Sequence, residues 1–235
     1  ARNTGLAYAR GQFITFLDAD DLWKPEKLQS QMELFAQRPD LYWNYTDVDL
    51  IQDGQVLYKL SEVYPMQSGN VLRSLFQCKH MLNSTSVVIH RTVFDTVGTF
   101  DSWRYGEDWD MWMRIAGTYP VDLVHHSLAQ YRHHSGGKSG RLDPRNLYNR
   151  LGIVNRIVAL YPEQVADLQA RIIARLYLWY AGRTLRLGNV LEARPMFARA
   201  FPHYPQALGY FAVTFLPERT IQWLLNMSRE LWKVG

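Results

Sequence analysis

The sequence predicts an α/β chain, with a mixed sheet carried by residues 1–142 and an all-helical extension over residues 143–235. Three observations predict it. The run Phe13-Ile14-Thr15-Phe16-Leu17 has the apolar, partly β-branched character of a buried strand, and it stops abruptly at Asp18-Ala19-Asp20-Asp21. Strand-like and helix-like segments then alternate as far as residue 140, the order expected of helices packed on a sheet. From Asp143 onward only helical spacing remains.

Each element has its own local reason. Residues 3–9 read as a short helix closed by Gly11, a residue that tolerates the left-handed backbone of a helix end. After the acidic cluster, Pro25 suits the first turn of a helix, and Leu28, Met32 and Phe35 would form its apolar face. Leu41–Ile51 is rich in Tyr, Trp, Val and Ile and reads as a strand. Asp53-Gly54 is a tight hairpin turn returning through Val56–Leu60. A short helix around Val71–Phe76, a strand at Thr85–His90 and a short helix at Arg91–Val97 ended by Gly98 follow. Helical spacing resumes through Trp109, Trp112, Met113 and Ala116, and two strands, Val121–His126 and Leu128–His133, precede the loop Ser135–Gly140.

Composition narrows the function classes. The chain has 235 residues, and its 8 Trp and 14 Tyr are mostly core material, although such rings also line sugar clefts. The single Cys78 excludes an internal disulfide and fits a reducing, cytoplasmic setting; without a histidine pattern around it, it reads as a buried structural thiol. No apolar stretch approaches the ~20 residues of a membrane span. Residues 1–150 carry 16 Lys+Arg against 17 Asp+Glu, and residues 151–235 carry 10 against 5. The acidic groups thus gather in the α/β part. The basic excess of the extension reads as an Arg-rich helical surface rather than a nucleic-acid site, and no nucleic-acid partner is expected.

Three motifs carry chemistry. Carboxylates crowded at a strand's C-terminal end, as in Asp18-Ala19-Asp20-Asp21, repel one another unless a cation sits among them, and that end of a strand is where open α/β sheets place ligands. Asp18 and Asp20, one residue apart on a strand-exit turn, can reach one divalent ion together. Glu107-Asp108 opens a helix, where the dipole favours acids and a carboxylate beside a cleft can accept a proton from an attacking hydroxyl. Tyr131-Arg132-His133-His134 runs into the Gly/Ser loop. His134 could offer a metal nitrogen, while Arg132 and Lys138 could bind phosphate.

These motifs, together with Ala1-Arg2-Asn3-Thr4-Gly5, Phe16–Trp23, Val97-Gly98-Thr99-Phe100-Asp101 and Gly106–Arg114, resemble in their order the glycosyltransferase family 2 pattern over about residues 1–140. The resemblance implies a partial GT-A fold and inverting transfer of a sugar from a nucleotide-sugar donor to a glycan, lipid-linked or other hydroxyl acceptor, as in polysaccharide synthesis. It implies that Asp18 and Asp20 hold Mg or Mn and the donor diphosphate, supported by Asp21. It makes Asp108, with Glu107 beside it, the general base. It assigns His134 to the metal shell, and Arg2 and Asn3 to the stretch facing the nucleotide. Family members begin with a strand, a helix and a second strand that would precede Ala1, so the chain reads as a fragment of a longer protein, to which the implied activity belongs.

Two other readings stay open. A phosphatase of the haloacid dehalogenase type also ends a strand in Asp-x-Asp, but Leu22 stands where such enzymes place Thr or Val, and Lys138 lacks its acidic partners. A non-catalytic scaffold is the other, opposed by retention of Asp18, Asp20, Asp108 and His134. In the extension, Leu176–Pro205 resembles one degenerate tetratricopeptide-like helix pair. The terminal segment with Ile221, Trp223, Leu224, Leu225, Leu231 and Trp232 reads as an amphipathic helix. Packing on the domain is the reading preferred to peripheral contact with the inner face of the plasma membrane.

Overall fold

The computed structural model describes residues 1–133, 144–217, 219–221 and 224. They form two compact units, one drawn from residues 1–141 and 156–166 and the other from residues 142–155 and 167–235.

The first unit is built on a mixed sheet. Helix α1 (Arg2–Tyr8) leads into β1 (Phe13–Thr15), β2 (Leu22–Trp23), α2 (Lys27–Gln37), β3 (Trp43–Gln52) and β4 (Gln55–Lys59). The short helices α3 (Leu60–Val63) and α4 (Leu72–Phe76), strand β5 (Val88–His90) and helices α5 (Val93–Val97) and α6 (Glu107–Thr118) precede β6 (Asp122–Arg132). Strand order is β1-β5-β3-β6-β2, with β4 added to β3. The β3–β6 pair is parallel and the other pairings are antiparallel. Long β3 is the spine. One of its edges is covered by β6 from Asn44 to Ile51, and the other by β5 at its start and β4 at its end. Trp43, Val48, Val88, Ile89, Met111, Trp112 and Met113 are buried in this core. The Asp53-Gly54 turn forms as expected, with φ of 51° and 80° at the two positions, the left-handed pair a two-residue hairpin requires.

The structure departs from the sequence expectation in several places. Strand β1 ends at Thr15, leaving Phe16 half-buried and Leu17 exposed, because its only pairing among the described residues is with three-residue β5. The two strands expected at 121–126 and 128–133 are one strand, β6, whose register shifts opposite Thr46, Asp47 and Val48 absorb the break in alternation. On α2 the expected apolar face holds at Phe35, which is buried, and at Met32, which packs against the same cluster, but Leu28 is exposed and the helix also buries Lys27 and Gln31. A polar network lies beneath it. Lys27 Nζ donates to Gln31 Oε1 at 2.7 Å and sits 4.5 Å over the Trp23 ring, while the Gln31 amide donates to Asn44 Oδ1 and to the Ser86 carbonyl. Finally, Cys78 is only half-buried and adopts a positive φ of 52°, which does not match a core thiol.

Gly117 on α6 is required by a close approach. A Cβ there would stand 2.4 Å from the Tyr161 ring, whose hydroxyl donates to the Arg114 carbonyl at 2.8 Å.

The second unit contains α9 (Gln169–Arg186), which follows α7 (Pro144–Leu160) and α8 (Pro162–Val165), then α10 (Val190–Ala200) and α11 (Ala207–Val213). Small residues let α9 and α10 approach, and Ala181, Leu185, Ala193, Phe197, Ala200, Ala207 and Ile221 form their shared core. Apart from Ile221, which is buried, and Leu224, the residues named for the terminal amphipathic helix lie outside the described residues. No helix among the described residues is long and apolar enough to cross a membrane.

Burial of Lys27 yields a test. Burial lowers its ammonium from 10.5 to about 7, so the unfolded chain binds the extra proton between those values. Lys27 therefore costs stability below pH 7, and that cost is relieved as pH rises from 7 towards 10. Thermal unfolding of the Lys27→Met variant should show a flatter pH dependence than the parent chain across pH 7–9.5. Equal slopes would show that Lys27 is not buried as a near-neutral amine.

Candidate active site

The acidic turn, the first turn of α6 and the start of α1 come together. Asp18 follows β1, and its carbonyl accepts the Asp21 backbone N–H at 3.0 Å, which closes the turn. Glu107 and Asp108 begin α6 behind Gly106, whose φ of 80° makes the sharp entry to the helix. Arg2 spans the gap. One guanidinium nitrogen lies 2.9 Å from Glu107 Oε1 and another 3.3 Å from Asp18 Oδ2. The arginine is about one-fifth exposed and stacks 5.5 Å from the Phe100 ring, so its charge acts in a partly dry environment. A single planar cation thus serves both acidic motifs.

Asn3 has a structural task. Its amide nitrogen donates to the Phe100 carbonyl at 2.7 Å, and its amide oxygen accepts the Phe100 N–H at 3.0 Å. This paired bond fixes the 97–101 segment beside α1. Phe100 then packs edge-on against Phe16 and Trp112, which links the acidic turn to α6.

The far end of the turn is fixed to β6. The Arg132 backbone N–H donates to Asp21 Oδ1 at 3.1 Å, and its Nε donates to the Asp20 carbonyl at 3.0 Å. Asp21 is buried, and the Thr85 hydroxyl stands beside its carboxyl. Burial, reinforced by Asp18 and Asp20, raises its carboxyl from 3.8 to about 6 against the opposing Arg132 hydrogen bond. Asp21 is therefore a structural brace between turn and strand, while Asp18 and Asp20 remain more open. Asp108 is partly buried, and its Oδ1 accepts the Trp109 N–H at 2.7 Å.

His134 and Lys138 lie outside the described residues. Among the described residues, no group of three His, Cys, Asp or Glu side chains stands at metal-holding spacing. Asp18 and Asp20 are the two candidate oxygen donors the turn itself provides.

Two supports were not singled out in the sequence. Asp110 and Arg114 form a fully buried i,i+4 ion pair at 2.9 Å, and Arg114 also donates to the Val97 and Thr99 carbonyls. That pair holds the 97–100 segment against α6, and its only sequence signal was the Asp-x-x-x-Arg spacing. Asp47 on β3 accepts the Ser61 N–H and hydroxyl, anchoring the turn after β4. An acid inside a strand-like apolar run was its signal.

The model of the glycosyltransferase-like family 2 matches residues 1–151. The amylovoran biosynthesis glycosyltransferase AmsB of Erwinia amylovora is 29% identical over 119 residues, 48% of this chain and 39% of that protein. The Escherichia coli protein WfgD, named a UDP-Glc:α-D-GlcNAc-diphosphoundecaprenol β-1,3-glucosyltransferase, is 28% identical over 115 residues, 49% of this chain and 42% of that protein. The match spans less than half the length of each of these relatives. The crystal structure of S. aureus TarS 1–349 shares the fold, with a TM-score of 0.55 at 15% identity, covering 97% of this chain and 70% of that one.

Removing Arg114 leaves the buried Asp110 carboxylate with only the longer 3.6 Å contact to Arg156. Arg114→Met should lower unfolding free energy by about 3–5 kcal/mol in a denaturant titration. A loss below ~1 kcal/mol would mean that the pair does not brace α6.

Proposed function

We propose that this chain, which belongs to the glycosyltransferase-like family 2, forms part of a metal-dependent enzyme that transfers a sugar from a nucleotide-diphosphate donor to an acceptor hydroxyl with inversion, in the synthesis of a cell-surface polysaccharide or related glycan. One observation carries the reading. Arg2 joins Asp18 and Glu107, so the donor-side and acceptor-side acids share a single site.

Asp18 and Asp20 would hold Mg or Mn. Hard carboxylate oxygens on an open turn suit such an ion, which takes one or two carboxylates and fills its shell from phosphates and water. When bound, the ion would stabilise the charge that develops on the departing diphosphate. His134 would add a further ligand. Arg132 and Asp21 keep the turn's backbone in place, so the two carboxylates need little reorganisation. Asp108 would accept the proton of the acceptor hydroxyl, with Oδ1 fixed by the Trp109 N–H and Oδ2 left for the acceptor. Inversion needs one such base, placed opposite the leaving group. Glu107, held by Arg2, sets the charge beside it. Arg2 would also face the donor diphosphate.

The relatives support this reading at the level of class: one is named for polysaccharide biosynthesis, and another for glucosyl transfer to a lipid-linked diphosphate. An acceptor of the second kind would bring the basic helical unit near anionic lipid.

The full-length parent, assayed with a panel of nucleotide sugars and Mn, tests the roles. Asp20→Ala and Asp108→Asn should each lower turnover by about 10²–10⁴-fold. Chelation should abolish turnover, and added Mn should restore it. Full turnover in either variant would remove that residue's role.

A further inference from the structure

A cleft of about 630 Å³ opens on the first unit. Its floor is made by β3 and β6, and its walls by β4 and the segment leading into α2. Strand register spaces this cleft from the acidic turn along β6. The acidic turn is fixed at Arg132, whereas the cleft borders His126, Ser127 and Leu128, four to six residues back along β6. Along β6 that is roughly 13–20 Å at the rise of an extended strand, while on the opposite wall Lys24 stands three residues from Asp21, so the cleft adjoins the acidic turn.

The floor holds an ion pair between buried Asp49 and Lys24, whose side chain is partly exposed to the cleft. Asp49 is 4% exposed, with Oδ2 2.7 Å from Lys24 Nζ and Oδ1 accepting the Ser127 hydroxyl at 2.6 Å. Burial alone would push this carboxyl up; the Lys24 and Ser127 hydrogen bonds more than reverse it, and it lies below its ordinary value. A part-exposed pair of this kind contributes little net stability. Asp49 ties the segment before α2 to β3 and β6, and the pair presents the Lys24 ammonium at the edge of the cleft.

The lining selects the ligand class. Seven of the nine lining residues are polar in type, while apolar atoms make up most of the accessible lining, a mixture that suits a sugar ring with its C–H faces and hydroxyls. Two lysines, Lys24 and Lys59, face two acids, Asp49 and Glu26, so the cleft lacks the positive excess that a phosphate would need. Donors and acceptors are mixed, which matches hydroxyls that both give and accept hydrogen bonds. Val56 and Leu128 add two apolar contacts for the C–H face of a ring. The volume lies within the ~300–1,000 Å³ of small-molecule sites.

We propose that this cleft binds a neutral saccharide, serving as a glycan-holding subsite next to the acidic turn. The inference rests on the glycosyltransferase reading, since such an enzyme handles a glycan that extends beyond its reacting end.

Saturation-transfer difference NMR on the full chain, with laminaritriose, chitotriose and maltotriose as probes, tests it. Lys59 and His126 are exposed, so Lys59→Ala and His126→Ala should leave the fold intact, checked by circular dichroism. Each should weaken binding of at least one trisaccharide by about fivefold, the loss of one hydrogen bond. Asp108→Asn should leave that binding unchanged. No signal from any of the three sugars, unchanged binding in both cleft variants, or loss confined to Asp108→Asn would overturn the proposal. Sugar transfer by the parent protein without cleft-dependent binding removes this inference alone. Cleft-dependent binding without transfer removes the catalytic reading and leaves the cleft.

Discussion

Like charges brought together at one edge of a sheet need a cation, and much of the first unit is arranged around one that the chain supplies itself. Asp18 and Glu107 come from segments nearly ninety residues apart, and Arg2 meets both. Without that guanidinium, the two carboxylates would face each other with only water to screen them. With it, they share a neighbourhood. The planar fork of arginine suits this task, because its separate nitrogens can bind two carboxylates at once.

The surrounding bonds act on backbone more than on side chains. Asn3 grips both polar groups of Phe100, Arg114 holds two carbonyls of the segment before it, and Arg132 holds the acidic turn by its Asp20 carbonyl. Each fixes a loop whose position sets where a carboxylate points. Such support lets Asp18, Asp20 and Asp108 keep their placement before any ligand arrives. Buried Asp21 and Asp110 belong to this framework, whereas Asp18, Asp20 and Asp108 are more open.

Much of this was legible in the sequence, for physical reasons. The Asp53-Gly54 turn, the strand of residues 43–52 and the start of α6 follow from local preferences that tertiary contacts do not override. The acidic strand end and the first turn of α6 were recognisable because charges at element ends carry a local signal. What was hidden depends on neighbours. Leu28 reads as core from its spacing, yet the helix turns Lys27 and Gln31 inward, because Asn44 and the Ser86 carbonyl wait there to bond Gln31. The continuity of β6 through two polar histidines is set by its parallel partner β3, which no local pattern reveals. The grip of Arg2 on residues 18 and 107 is likewise a long-range contact, as is the Lys24–Asp49 pair.

A double-mutant cycle pairing Asp18→Asn with Glu107→Gln, read as sugar-transfer turnover by the whole protein, tests most directly whether these acids form one site. If Arg2 couples them, the two losses should be non-additive by at least ~1 kcal/mol, with the second substitution changing turnover far less than it does alone. Losses that add to within ~0.5 kcal/mol would contradict a shared site and leave the acidic turn and the start of α6 as independent features.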